Sequence, residues 1–167
     1  MSNGSNHLAS RFEQAGSAFI ALIAECTPEQ WQTVCPDEGW PVGAIARHVA
    51  GGMQFHAGHI IRMARGRPVA QVTMDQIHES NRENETANPN HAEALAALRA
   101  NRDRLVGIIR HLSDEQLALS QPVPFFNNGE TLTTRDMIER IATGHVRAHM
   151  DSVRAVVDGC EGSTLQP

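Results

Sequence analysis

The sequence predicts an all-α protein, a four-helix bundle wound with long crossover connections. Three observations predict it. Four long stretches carry apolar residues at helical spacing, capping and breaking residues punctuate them, and no useful length of the chain alternates as a strand would. A chain of 167 residues has room for one domain with a substantial core. We read 1–167 as a single helical domain with tails at about 1–6 and 159–167.

The first long segment runs from about Leu8 to Glu25, with Leu8, Phe12, Ala15, Phe19, Leu22 and Ile23 on one stripe, and stops near "CTPEQW". The second opens at "WPVGAIARHV", where Pro41 suits a first helical position, and ends near Arg65 at "GRP". Thr73 and Gln76 have capping-box spacing, so a short helix starts there. The third long segment begins at Asn90, with Glu93 three positions on. It reaches about His111 with Leu95, Leu98, Leu105, Ile108 and Ile109 inward. Ser113 and Gln116 repeat the capping box, and "SQPVPFFNNGETLT" reads as a loop from its Pro, Asn and Gly content. The fourth helix follows from Thr133 or Thr134 to about Val157, and "DGCEGSTLQP" reads as a frayed tail.

Connections longer than a tight turn separate the first helix from the second and the third from the fourth. The chain can therefore wind its bundle in more than one topology. A faint internal echo, "TPEQW…GWPVGAIARHV" against "SDEQL…TLTTRDMIERI", hints at pseudo-twofold symmetry between the halves.

Composition excludes several chemistries. All 14 basic residues are arginine, so a Schiff-base lysine and a lysine-bearing phosphate loop are ruled out. No Gly-x-Gly-x-x-Gly fingerprint occurs, and with no tyrosine there is no phenolic nucleophile or acid. A net charge of -5 with scattered acidic residues leaves no nucleic-acid footprint and no basic membrane patch. Cys26, Cys35 and Cys160 lack paired spacing, which fits a reducing compartment better than a disulfide framework, and structural or incidental roles suit them better than nucleophilic ones. The first twelve residues are polar, and no run of about 18 apolar residues could span a bilayer. A soluble cytoplasmic protein is expected.

The histidines carry the chemistry. In "TGHVRAHMDS", His145 and His149 lie four apart, which stacks two imidazoles on one helical face. They continue the stripe Ile138, Ile141, His145, His149, Ser152, Val156, while Arg140, Arg147 and Arg154 fall off it. In the second helix, Ile45, His48, Gly52, Phe55 (or His56) and His59 form the matching inward row. An i, i+4 pair also arises by chance among nine histidines, and a lone inward histidine usually bonds to backbone. The joint phase of three rings from two helices is what points to an ion. Buried without partners they would cost about 1–3 kcal/mol per unsatisfied group, whereas neutral imidazoles bind zinc, nickel, copper or iron. Three protein ligands leave a position open, the mark of a catalytic site. His56 and His59 share the face two to three turns further on and take supporting or rim roles. His7, His78, His91 and His111 fall at termini, loops or helix ends, where solvated or capping roles suffice.

With those residues in hand, the chain resembles the DinB family of four-helix bundles. "WPVGAIARHV" is similar to the family's tryptophan-then-helix segment ending in a metal histidine. "GHVRAHM" is similar to its late His-x-x-x-His, and "LSDEQL" precedes the last loop and helix. The likeness spans about Leu8 to Val157. It implies an all-α bundle, often a homodimer, with a divalent metal (Zn, Ni or Fe) held by His48, His145 and His149. It also implies kinship with transferases and isomerases that use mycothiol, bacillithiol or glutathione, the metal activating the cofactor thiol. Mycothiol-dependent maleylpyruvate isomerases carry a glutamate at the first position of the late pair, where this chain has His145.

The leading expectation is a metal-dependent enzyme transferring a low-molecular-weight thiol to a small-molecule electrophile, with no nucleic-acid or membrane partner. Metal-assisted hydrolysis is the alternative, although no carboxylate is an obvious base. Asp151 points about 200° round the helix from His149, and Glu38 and Glu130 lie in loops that could approach the mouth. A non-catalytic metal-binding stress bundle is the third reading. A di-iron ferritin-like site is disfavoured because no Glu-x-x-His pair occurs.

Overall fold

The structure is a computed structural model that describes residues 3–161. In chain order its elements are α1 (Asn3–Ala24), α2 (Pro28–Gln32), α3 (Val42–Met63), α4 (Met74–Glu85), α5 (His91–Arg110), α6 (Asp114–Ala118), β1 (Ser120–Pro122), β2 (Thr131–Thr133), α7 (Thr134–Asp136), a π-helical segment (Met137–Thr143) and α8 (Gly144–Glu161). The expected bundle of four long helices is formed by α1, α3, α5 and α8, the last extended at its start by α7 and the π segment.

Apolar stripes build the core. Leu8, Phe12, Phe19 and Ile23 of α1 interlock with Ile45, Met53 and Ile60 of α3, Leu98, Leu105 and Ile109 of α5, and Val146 and Val153 of α8, all buried. Both α1 and α3 pack against both α5 and α8, so α1 and α3 face each other across one diagonal and α5 and α8 across the other. Pairwise bonds fix the directions. Arg110 meets Glu13 and His91 meets the Ile23 carbonyl, so α1 and α5 are antiparallel. Asn101 donates to the Ala50 carbonyl and Gln116 to that of Ala64, so α3 and α5 are parallel. Arg11 pairs with Glu139 and Gln30 with the Val157 carbonyl, so α1 and α8 are parallel. The topology left open by the sequence is thereby settled: two helices run each way and consecutive long helices within each half are diagonal.

The internal echo has a structural counterpart. Thr27 and Ser113 each close a complete capping box on α2 and α6. Each short helix then leads into an antiparallel pairing, Val34 with Pro41 in the first half and Ser120 with Thr133 in the second, and then into a long helix. The segment read as a plain loop is thus a hairpin. Its three-residue strands are too short to alternate visibly, and Asn127, Asn128 and Gly129 take the left-handed backbone that the tip requires.

Two other boundaries differ from expectation. The fourth helix is interrupted: Thr133 caps α7, and a seven-residue π segment follows, where the Thr143 hydroxyl donates to the Ile138 carbonyl at 2.9 Å. A π turn leaves the apolar pattern nearly intact, so periodicity does not reveal it. Helical backbone also takes in residues 3–6 and 158–161, which the composition reads as tails. The remainder of those tails lies outside the described residues. Among the described residues, no helix is long and apolar enough to cross a membrane.

Candidate metal centre

His48 lies in the second turn of α3, which starts after Pro41, placed at the N-cap, one place before the first helical position expected of it. The His48 imidazole meets the Trp40 ring edge to face with centroids 5.1 Å apart. His145 and His149 sit one turn apart near the start of α8. Because α3 and α8 run in opposite directions, His48 lies beside His149 while His56, two turns on, lies beside His145. Nε2 of His145 is 3.0 Å from Nε2 of His48 and 3.2 Å from Nε2 of His149. Nitrogens about 2.0–2.1 Å from a tetrahedral ion would be about 3.3 Å apart. The three rings therefore converge at the separation that a shared ion requires, and all three are partly buried.

Groups behind the rings turn the right atoms inward. Both oxygens of Glu38 lie on Nδ1 of His149, at 2.8 and 2.9 Å. A carboxylate accepts, so this ring carries its proton on Nδ1 and offers a bare Nε2 to the centre. Nδ1 of His48 is 3.3 Å from the side-chain nitrogen Nδ2 of the buried Asn84 on α4, an amide whose two ends exchange by a half-turn. With the amide oxygen turned to the ring, the same logic applies. His145 is seated on Gly52: a Cβ there would come within 2.5 Å of its Cε1, so only glycine admits the ring.

Burial keeps His48 and His145 uncharged at neutral pH. It pushes His48 down to about 4, aided by the neighbouring His149 and opposed by Glu38. Burial, with His56, His149 and His48 close by, pushes His145 down to about 2. Burial works against the Glu38 charge as well, but hydrogen bonds from His149 and Ser152 outweigh it and hold the carboxyl below its usual range. Three imidazole nitrogens backed by one carboxylate suit a first-row divalent cation.

A cavity of about 950 Å³ opens over His48 and His145. Phe55, Phe125, Phe126 and Ile141 give it an apolar wall, while Arg47, Gln76, Asn81 and Asn101 supply polar groups. Three protein ligands beneath an accessible cavity can hold an ion and leave it reachable by a small molecule.

The structure brings together the three histidines singled out in the sequence. Of the alternatives Phe55 or His56 for the inward row, His56 is the buried one and Phe55 is 36% exposed. Glu38 does reach the site, but as the partner of His149. Glu130 instead pairs with Arg140 and Asn127, and Asp151 with Arg154. Burial raises the thiol of Cys35 to about 11 and that of Cys26 above its usual value, so neither is a ready nucleophile. Sequence reasoning missed Asn84 and the seating role of Gly52. Asn84 had no local signal, while Gly52 stood in the histidine row and could have been questioned there.

Fold and site together define a helical bundle with a three-histidine face at one of its helix–helix seams. The chain belongs to the DinB superfamily, whose family model matches residues 11–152. No curated protein matches the sequence significantly. Among solved structures it is similar to YfiT from Bacillus subtilis, described as a probable metal-dependent hydrolase with an unusual four-helix bundle topology. The TM-score is 0.78 at 16% identity, over 96% of this chain and 90% of that one. It is also similar to a mycothiol-dependent maleylpyruvate isomerase, with a TM-score of 0.73 at 12% identity, over 92% of this chain but 63% of that one. At such identities the likeness is one of fold.

Proposed function

We propose that this DinB-superfamily protein is a metal-dependent transferase in which His48, His145 and His149 hold one divalent ion, zinc, nickel or iron, and a low-molecular-weight thiol is joined to an electrophilic small molecule. The observation that carries the reading is the convergence of three Nε2 atoms, at 3.0 and 3.2 Å from His145 to the other two, beside an open cavity that His48 and His145 line. A closed site would have favoured a structural ion. When bound, a divalent ion supplies a lowered pKa for a thiol or water, giving a nucleophile at neutral pH.

The chain's own residues do the rest. Glu38 and Asn84 orient two of the rings, and Gly52 admits the third. Phe55, Phe125 and Phe126 keep water from an apolar electrophile, while Arg47, Gln76 and Asn81 are placed to bind polar parts of a thiol. Hydrolysis is less well served: both oxygens of Glu38 are engaged by His149, which leaves that carboxylate unsuited to act as a base on water. Both solved relatives support chemistry at such a site, one described as a probable metal-dependent hydrolase and the other as mycothiol-dependent.

Elemental analysis of untagged protein should find close to one divalent ion per chain, lost in His48→Ala. The metal-loaded protein is then mixed with mycothiol, bacillithiol or glutathione and an electrophile such as chlorodinitrobenzene or an epoxide. A rate above the His149→Ala control is expected with one thiol, and no excess with any of them overturns thiol transfer. A homodimer and a cytoplasmic location belong to the same proposal. Sedimentation tests the first and cell fractionation the second.

A further inference from the structure

Metal-bound histidines nearly always hand their second ring N–H to an acceptor. His149 has Glu38 and His48 has Asn84, once its amide oxygen is turned to the ring, but Nδ1 of His145 is buried with no hydrogen-bond partner among the described residues. Among the described residues its unpaired atom is one of four such histidine nitrogens, the others being Nδ1 and Nε2 of His56 and Nε2 of His59. Their donor and acceptor capacities match. With Nε2 of His145 facing the centre, its Nδ1 carries a proton. Neutral His56 has one N–H and one bare nitrogen. His59 donates Nδ1–H to the Phe55 carbonyl at 2.8 Å, with the Ala70 carbonyl also near the ring, and so keeps Nε2 bare. Two donors thus stand against two acceptors.

The rings are placed to use that match. His56 is one helical turn beyond Gly52, on which His145 is seated, and the two imidazoles meet edge to face with centroids 5.2 Å apart. At that separation the ring edges are within reach of a direct hydrogen bond or of one bridging water. Leaving four buried polar atoms unpaired would be costly at about 1–3 kcal/mol each.

We propose that His56 is the positioning residue of His145: it accepts the Nδ1–H of that ring, directly or through one water, and passes its own N–H towards His59, so that the Nε2 lone pair of His145 is held on the ion. The proposal rests on the metal reading above and adds to it a partner for the third ligand. Fixing the tautomer and tilt of a ligand ring is a separate task from binding substrate, and nothing here requires His56 to touch one.

Zinc-loaded wild-type protein, His56→Phe and His56→Gln test it. Wild-type ring nitrogen spectra should show His145 protonated at Nδ1, with that proton slow to exchange with solvent. His56→Phe, similar in size but without nitrogens, should bind zinc about 10–100-fold more weakly and lose that slow proton. His56→Gln, whose amide can accept and donate, should recover part of both. Zinc affinity and His145 signals unchanged in His56→Phe would overturn the proposal and leave the metal reading intact. Wild-type protein that takes up no zinc would overturn the metal reading and this proposal with it. Should His56→Phe fail to fold, the wild-type spectrum and His56→Gln decide, since Nδ1 of His145 found bare or in fast exchange is a refutation.

Discussion

At Glu38 a single side chain fixes both the proton and the direction of a ring. Its two oxygens meet Nδ1 of His149 at 2.8 and 2.9 Å, so the opposite nitrogen stays bare. Glu38→Gln can still present an oxygen to that Nδ1–H but removes the charge behind it. Zinc affinity, measured by competition with a chromophoric chelator, should fall about 10-fold for Gln and towards 100-fold for Ala. Equal affinities for the wild-type and Ala proteins would show that the carboxylate does not support the ligand. Gly52 gives a second test. A Cβ there meets the His145 ring at 2.5 Å, whereas one on Gly58 of the same helix meets nothing within 4 Å. Gly52→Ala should therefore weaken zinc binding and cost about 1–3 kcal/mol by overpacking. Gly58→Ala should bind zinc as wild type does and gain up to about 1 kcal/mol from helix propensity. The three converging histidines were legible because one residue type repeats at helical phase. Asn84 was not, since nothing near it in sequence says which ring it will meet.

Among the elements, α4 is the one whose stability is most separable from the rest. The Thr73 capping box opens it, but most of its side chains are exposed and Asn84 is its buried residue among those described. A helix with so little apolar burial is expected to open without unfolding the bundle. Thr73→Ala removes the hydroxyl that accepts from the Gln76 N–H, and should make that opening easier by about 1 kcal/mol. Hydrogen exchange should show α4 amides protected less than those of α5, and less still in the variant, with little change in the global melting temperature. Zinc affinity should fall with the same change, because Asn84 leaves His48 when α4 opens. A global loss of protection would mean that α4 is part of the cooperative core. Caps at Thr73, Asn90 and Ser113 were readable because each is a contact within four residues. The β1–β2 hairpin and the π segment were not, since three-residue strands and a single widened turn barely disturb the apolar pattern.

For the whole molecule, the bundle was legible in its helix count and stripes but not in its winding, which depends on which faces meet across distant parts of the chain. The diagonal winding brings α3 against α8, and so buries several imidazoles in one seam. His48 is held at about 4 and His56 at about 3, burial being the main cause at both, with His145 lower still. Unfolded histidines titrate near 6.5, so between that value and these lowered ones the unfolded chain binds more protons than the folded one. In the metal-free protein this contribution is complete above about pH 6.5 and is lost as pH falls. The share of His48 is gone by about 4 and that of His56 by about 3. Unfolding free energy, taken from urea titrations between pH 6 and 4.5, should therefore decline steeply with acidification. Replacing His56 with Phe removes one of these protons from the balance. Whatever its effect at neutral pH, the variant should show a pH slope shallower by about 1.4 kcal/mol per unit over that interval. Identical slopes would mean that His56 already carries its proton in the folded state, which is incompatible with a neutral ring packed against His145.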